Sequence, residues 1–411
     1  MNSKLRKYLT IAALGLAGGT IYFLPYIKYV FYDAQIAAMD INNTQSGMLL
    51  TMYTIGNVIL YIPGGLLADK IAPKKAISIS LFATAVLCFT YAFTFSYGVA
   101  LVIWVGLSFS TAFVFWSSLM KAVRIVGTEE EQGFMYGLYY ACNGLTGALA
   151  TSVALYAYGT TSDITQGFFR AVMVGGAFLI IAAILILLLL KADSGAAADE
   201  EAKFKLKDVG TLVKNPIVWI FSITIFCAYG IFACTSYFNP YLTDVVGVSA
   251  VESGVFTIIR NYVFLLLAPL GGLLADKVFK STAKWLTCAM LILAGLFIGV
   301  LLMPSGVSPF AASVYTLIPG AVAMMMYGVV FSIVSEAGIS RTMTGTAIGI
   351  ASIIGYLPDS IYHTMFGNWL DKYGGQQGYT TIFGFLAASG VVGAALAFTI
   401  FKKNKAAKKA A

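Results

Sequence analysis

Apolar runs long enough to cross a bilayer follow one another along nearly the whole chain, separated by short polar breaks. About 20 residues of helix span a hydrocarbon core. Twelve stretches reach that length or close to it, near 8–32, 44–67, 76–95, 98–120, 132–158, 167–190, 216–241, 251–274, 284–303, 309–334, 343–370 and 379–401. They lack the polar–apolar alternation over about ten positions that marks barrel strands. The expected class is an all-α membrane protein with twelve transmembrane helices. Two glycine-rich patches, "LGLAGG" at 14–19 and "CNGLTG" at 142–147, suit close helix packing in lipid.

The breaks organise the runs. Residues 191–215, "KADSGAAADEEAKFKLKDVGTLVKN", form the longest polar stretch, with six expected spans before and six after. This predicts an N-terminal six-helix half at 1–190, a cytoplasmic linker at 191–215 whose "KFKLKD" part lies along the membrane surface, and a C-terminal half with a basic tail at 216–411. The heptapeptide "GGLLADK" occurs at Gly64–Lys70 and again at Gly271–Lys277, an offset of 207 residues. Each copy closes the second span of its half. Two parallel six-helix repeats around a central cavity account for that spacing.

Composition agrees with the pattern. Hydrophobic residues are 59% of the chain and charged ones 11%, against about 25% charged in soluble domains. Of the 26 basic residues, 22 fall on one side if the N-terminus is inside, the exceptions being Lys28, Arg170, Arg260 and Lys372. Under the positive-inside rule this puts both termini in the cytoplasm. The net charge of +8 is thus a topology signal rather than a nucleic-acid footprint. The start, "MNSKLRKYLTIAALGLAGG", reads as the first helix, because it lacks a small-residue cleavage site and further spans follow. The five cysteines, Cys88, Cys142, Cys227, Cys234 and Cys288, are widely spaced and odd in number, which argues for packing rather than disulfides or zinc. No nucleophile–base motif, metal-ligand cluster or phosphate loop occurs, so neither an enzyme nor a cofactor is expected.

The tag carries a resemblance. "GGLLADKIAPKK" resembles the signature loop of the major facilitator superfamily through Gly65, Asp69, Lys70, Lys74 and Lys75, with Ala72 where the family often has glycine. The second copy keeps Gly272, Asp276 and Lys277 and then drifts into "VFKSTAK". The resemblance implies a latch that holds the cytoplasmic side closed, with Arg124 as partner of Asp69 and Arg341 or Glu336 acting near Asp276. The competing reading is that these are solvated loop charges.

Charges inside the spans point to cargo. An ionised side chain at mid-bilayer costs about 2.5–3.5 kcal/mol on insertion scales, so it ordinarily lines a cavity. Lys28, Arg260, Asp359 and His363 are the candidates. Counted at 1.5 Å per residue, Lys28 lies 21 residues from Lys7 and 12 from Asp40, Arg260 16 from Asp276 and 8 from Glu252, and Asp359 18 from Arg341 and 12 from Asp371. All three reach about two-thirds of the way from the cytoplasmic side. Two cations, one from each half, are thereby expected to meet one anionic ligand. The alternatives are a snorkelling Lys28 and an Arg260 paired structurally with Asp359. Asp359 and His363, spaced i, i+4, share a helix face that Pro358 should bend, and histidine titrates near physiological pH. This makes them a candidate proton-coupling pair, against a hydrogen-bonded histidine without that role. Tyr26, Tyr29, Asn57, Tyr139, Asn143, Asn261 and Tyr356 are expected to add polar contacts to the substrate.

Within the superfamily, Lys28 is similar in place to the first-span cation of organophosphate antiporters, but the seventh span lacks their second cation. Arg260 is similar to the eighth-span arginine of oxalate-type antiporters, whose eleventh-span lysine is replaced here by Asp359 and His363. The expected function is a secondary active transporter of a small organic anion (a carboxylate, sulfonate or sugar phosphate) by alternating access, as a proton symporter or an antiporter. It is expected as a monomer in the cytoplasmic, or inner, membrane, with protons and lipid as its other partners and no nucleic acid. The alternative is a proton-driven exporter of neutral or cationic compounds.

Overall fold

The structure, a computed structural model, describes residues 3–68, 71–126, 132–191, 206–304, 306–339 and 343–410. These residues form helices and no strands. In chain order the α-helices are α1 (Ser3–Ile21), α2 (Tyr32–Met39), α3 (Asn43–Ala68), α4 (Pro73–Thr94), α5 (Tyr97–Ser108), α6 (Phe115–Val126), α7 (Gln132–Gly159), α8 (Ile164–Leu189), α9 (Leu206–Val213) and α10 (Pro216–Cys234). They continue with α11 (Phe238–Asp244), α12 (Ala250–Asn261), α13 (Ala268–Leu273), α14 (Thr282–Leu301), α15 (Pro309–Tyr327), α16 (Thr344–Gly355), α17 (Leu357–Tyr373) and α18 (Gly375–Ala410).

Among the described residues, eight helical segments are long and apolar enough to cross a membrane: Pro73–Thr94, Tyr97–Val126, Ile164–Leu189, Pro216–Asp244, Ala250–Val278, Thr282–Leu301, Pro309–Tyr327 and Gly375–Ala406. The other four expected spans are helical as well, carried by α1 with α2, by α3, by α7, and by α16 with α17. Side chains such as Ile79, Val102 and Phe310 stand out exposed, as faces that meet hydrocarbon require.

Helix starts follow local chemistry. Asp163, Asn215, Ser281 and Ser308 each accept a hydrogen bond from a backbone N–H in the first turn of α8, α10, α14 and α15. Ser249 and Glu252 form a reciprocal capping box on α12. Proline occupies the first turn of α4, α10 and α15, where its missing N–H is not needed.

By contacts the chain divides into two compact units, Met1–Ala198 with Ser249–Val263, and Asp199–Val248 with Phe264–Ala411. In the first unit α1 packs on α7, α3 on α5, and α4 on α8. In the second, α10 packs on α16 and α17, α13 on α15, and α14 on α18. Taken as spans, these are the same pairings, first with fifth, second with fourth and third with sixth, repeated in each half. The heptapeptide repeat therefore marks a repeat of packing.

Close approach explains several glycines. In the first unit a Cβ on Gly15 would meet Cys142, on Gly18 the side chains of Tyr139 and Asn143, and on Gly19 the Asn143 carbonyl and Thr146. "LGLAGG" and "CNGLTG" are thus two sides of one helix seam, closed by a Thr146 hydroxyl donating to the Gly15 carbonyl at 3.1 Å. The repeated tag does the same work twice. A Cβ on Gly64 would overlap the Phe113 carbonyl, and one on Gly271 the Met325 carbonyl. At another end of the first unit, the Arg6 Nε donates to the Leu189 carbonyl at 3.2 Å, satisfying an orphan acceptor at the end of α8.

Candidate functional site

Several expected spans are broken, and the candidate residues sit at the breaks. The first span does not run as one helix from 8 to 32: α1 stops at Ile21, turns follow, and a tight 3₁₀ turn covers Ile27–Tyr29 before α2. Pro25 lies in this break, and its carbonyl accepts a hydrogen bond from Trp104 Nε1 at 3.3 Å. The uniform 1.5 Å ladder used to place Lys28 therefore does not apply beyond Ile21. The eighth span breaks likewise. Its helix α12 ends at Asn261, one residue after Arg260, and gives way to a 3₁₀ stretch at Val263–Leu267. Pro269 then falls in the first turn of α13, where proline is tolerated.

Lys28 is buried at 4% exposure, with Nζ 5.1 Å from the centroid of the Tyr32 ring. Burial of the whole side chain differs from the snorkelling alternative. Arg260 is 2% exposed, and its Nη2 donates to Thr257 Oγ1 at 2.7 Å, one turn back on α12. Sequence neighbours of these two cations, though neither cation itself, line a small pocket whose empty space, including the part open to its surroundings, is about 300 Å³. Its lining comes from Tyr22, Phe23, Tyr26, Ile27, Tyr29, Val30 and Phe31 in the first span, Thr151 on α7, and Asn261 and Tyr262 at the end of α12. Of the expected contact residues, Tyr26, Tyr29 and Asn261 meet here. The tyrosines pack in series, Tyr22 to Tyr26 at 6.4 Å, Tyr26 to Tyr29 at 5.1 Å, and Tyr26 edge-on to Tyr53 at 5.7 Å.

Other expected residues lie elsewhere in the same unit. Asn143 donates from Nδ2 to the Tyr139 hydroxyl at 3.0 Å, in the seam beside Gly18. Asn57 is buried on α3, and its Oδ1 has no hydrogen-bond partner among the described residues.

The second unit holds a separate buried cluster. As Pro358 predicts, the eleventh span bends: α16 ends at Gly355 and α17 starts at Leu357 with Pro358 in its first turn. Asp359 and His363 are 2% and 0% exposed, with Asp359 Oδ1 3.5 Å from His363 Nε2. The Tyr229 hydroxyl donates to Asp359 Oδ2 at 2.6 Å. Tyr237 stacks on the imidazole at 5.6 Å and 18°, and its hydroxyl donates to the His363 carbonyl at 3.2 Å. Tyr356 packs edge-on against Tyr229 at 4.6 Å and lies 3.5 Å, oxygen to oxygen, from Tyr327. Tyr229 and Tyr327 are legible in the sequence only as polar aromatics; their assembly around Asp359 joins residues 130 or fewer positions apart that no local pattern connects.

The expected gate is described in part. Asp69, Lys70 and Arg341 lie outside the described residues, and Gly65 is in the last turns of α3. Arg124 is exposed in the last turn of α6, and Asp276 and Lys277 are exposed in a π-turn at Leu274–Val278. Glu336 is engaged at the start of α14: Ser281 Oγ donates to it at 2.7 Å, and the Thr282 backbone N–H donates to its other oxygen. A helix N-terminus attracts a carboxylate.

A profile described as Major Facilitator Superfamily matches residues 8–363. The chain belongs to the major facilitator superfamily. It is 26% identical over 420 residues to inner membrane protein YqcE of Escherichia coli K12, covering 98% of this chain and 97% of the relative. It is 25% identical over 410 residues to inner membrane protein YihN of the same organism, with the same coverages. Among solved structures it is similar to the nucleoside transporter NupG, with a TM-score of 0.74 at 16% identity over 98% of this chain and all of the other. The superfamily consists of transporters, not enzymes, and this member is a multi-pass membrane protein whose relatives YqcE and YihN are inner membrane proteins.

Proposed function

We propose that this superfamily member is a secondary active transporter of a small organic anion in the inner membrane. It works by alternating access between two six-helix halves, and it acts as a monomer with both termini cytoplasmic. The observation that carries this reading is the placement of two buried cations, Lys28 and Arg260, beside helix breaks whose neighbouring residues line one pocket. An ionised side chain inside a membrane span ordinarily lines a cavity. Two cations beside one pocket favour a ligand of negative charge.

Asp359 and His363 are the proposed proton-coupling pair, for symport or for exchange. A buried carboxylate bonded to a tyrosine and beside an imidazole has two states of charge to offer. The duplicated cytoplasmic loops, through Asp69, Lys70, Arg124, Asp276, Lys277 and Arg341, are the proposed gate. Counterflow of organic anions in proteoliposomes tests the reading. Loss of counterflow in both Lys28→Ala and Arg260→Ala is expected, and normal counterflow in both contradicts it. Asp359 also keeps a second reading open, export of cations, which loss of cationic-dye efflux in Asp359→Asn alone would favour.

A further inference from the structure

Helix α12 has three different faces. Val251 and Val255 are exposed, as residues that meet hydrocarbon are. Gly254 and Ile258 form an apolar seam: a Cβ on Gly254 would come 2.8 Å from the Leu155 side chain on α7, and Ile258 belongs to the buried core of the first unit. Ser253, Thr257 and Arg260, at i, i+4 and i+7, make the third face, a polar stripe that is buried throughout.

The stripe is hydrogen-bonded in one direction only. A guanidinium donates and never accepts, so at the 2.7 Å contact with Arg260 Nη2 the Thr257 hydroxyl oxygen is the acceptor. The threonine's own proton goes one turn back, to the Ser253 carbonyl at 3.0 Å. Bonding to that carbonyl is an ordinary use of a helical threonine hydroxyl. Accepting from an arginine three residues on is not something the helix requires. Thr257 and Ser253 are fully buried, so the chain of bonds is made inside the protein and not at its surface.

The guanidinium is a rigid planar fork, and tying one of its nitrogens fixes the direction in which the others present their protons. A side chain fixed beforehand also loses less rotamer freedom when a ligand arrives. The tie comes just before α12 ends at Asn261, which together with Tyr262 lines the first-unit pocket.

We infer that Thr257 is a positioning residue of the anion site: without touching the ligand, its hydroxyl holds the Arg260 guanidinium in the orientation that receives the anion. The inference rests on the anion reading above and adds the residue that presets its arginine.

Binding to the purified full-length protein in lipid nanodiscs, measured by isothermal titration calorimetry with a melting curve for each variant, tests it. The probes are gluconate, glucose 6-phosphate and isethionate, one carboxylate, one sugar phosphate and one sulfonate. Thr257→Val keeps the shape and removes the hydroxyl; Thr257→Ser keeps the hydroxyl and removes the methyl group. For a probe that binds the wild type, Thr257→Val is expected to weaken binding about tenfold, the scale of one hydrogen bond to a charged group. Thr257→Ser is expected to stay within about threefold of wild type. In an Arg260→Ala background Thr257→Val is expected to cost nothing further, because it acts through the arginine. If Thr257→Val does not fold, Thr257→Ala is compared with Thr257→Ser in its place. A threonine that merely satisfies a buried cation would lower the melting temperature and leave affinity unchanged, and that result overturns the positioning role while the anion reading stands. Equal weakening by Val and Ser, or a loss that adds to that of Arg260→Ala, overturns it as well. Undiminished binding in Arg260→Ala, or no binding of any of the three probes to the wild type, overturns the anion reading and the positioning role with it.

Discussion

Tyr229 on α10 donates its hydroxyl to Asp359 on α17 at 2.6 Å, inside a cluster that also holds the chain's single histidine. The bond ties the seventh span to the eleventh just past a helix break. Hydrogen bonds to a charged group contribute about 1.5–3 kcal/mol, and removing the donor leaves a buried acceptor unsatisfied. Tyr229→Phe is therefore expected to lower stability by about 1–3 kcal/mol, read as a lower melting temperature of the purified protein. An unchanged melting temperature would mean that the bond contributes nothing.

If Asp359 and His363 couple protons, substituting them separates driving force from binding. Asp359→Asn and His363→Asn are expected to retain anion counterflow in proteoliposomes and to lose accumulation driven by a proton gradient. The pair lies 3.5 Å apart with both side chains buried; each substitution removes a titratable group, Asn matching Asp359 in size and being smaller than the His363 ring that stacks on Tyr237. Loss of counterflow together with accumulation would assign the pair to binding or folding instead.

The tag's glycines predict a contrast between neighbours. Gly271→Ala would drive a Cβ into the Met325 carbonyl, a backbone atom that cannot step aside, whereas Gly272→Ala meets nothing closer than Val329 Cγ1 at 3.9 Å. Overpacking of this kind costs about 1–3 kcal/mol and sometimes more. The expected result is a sharp loss of monodisperse protein on size-exclusion chromatography for Gly271→Ala, matched by Gly64→Ala in the first unit, with Gly272→Ala close to wild type.

Glu336 predicts a smaller effect. It accepts from Ser281 and from the Thr282 backbone at the start of α14. Glu336→Ala is expected to reduce stability by about 1 kcal/mol, the usual scale for a lost cap, measured by thermal unfolding. A substitution with no effect on unfolding and a strong effect on transport would return Glu336 to the latch.

What the sequence made legible follows from which signals are local. Apolar length and basic asymmetry are carried by composition within each segment, so the membrane class and its helices could be read directly. "LGLAGG" and "CNGLTG" announced close packing, and the structure shows them as the two faces of one α1–α7 seam. Pro358 announced the bend before α17. The breaks after Ile21 and Asn261 were not legible, because a long apolar run looks the same whether its helix is continuous or interrupted. Pro25 and Pro269 were the available hints. Tertiary partners were hidden for a different reason: Thr151 with Tyr262, and Tyr229 with Asp359, are separated by 111 and 130 residues. The first-unit pocket is lined by Tyr26, Tyr29 and Asn261, which the sequence singled out, and by Tyr262 and Thr151, which no motif marks.

Lys28 and Arg260 are proposed to receive an organic anion. This is tested most directly by the melting shift that a panel of organic anions, neutral solutes and cations produces in the wild-type protein, in Lys28→Ala and in Arg260→Ala. Stabilisation of the wild type by one or more anions is expected, with its loss in both variants. Stabilisation by neutral or cationic compounds alone, or an anion-induced shift that survives both substitutions, would contradict it.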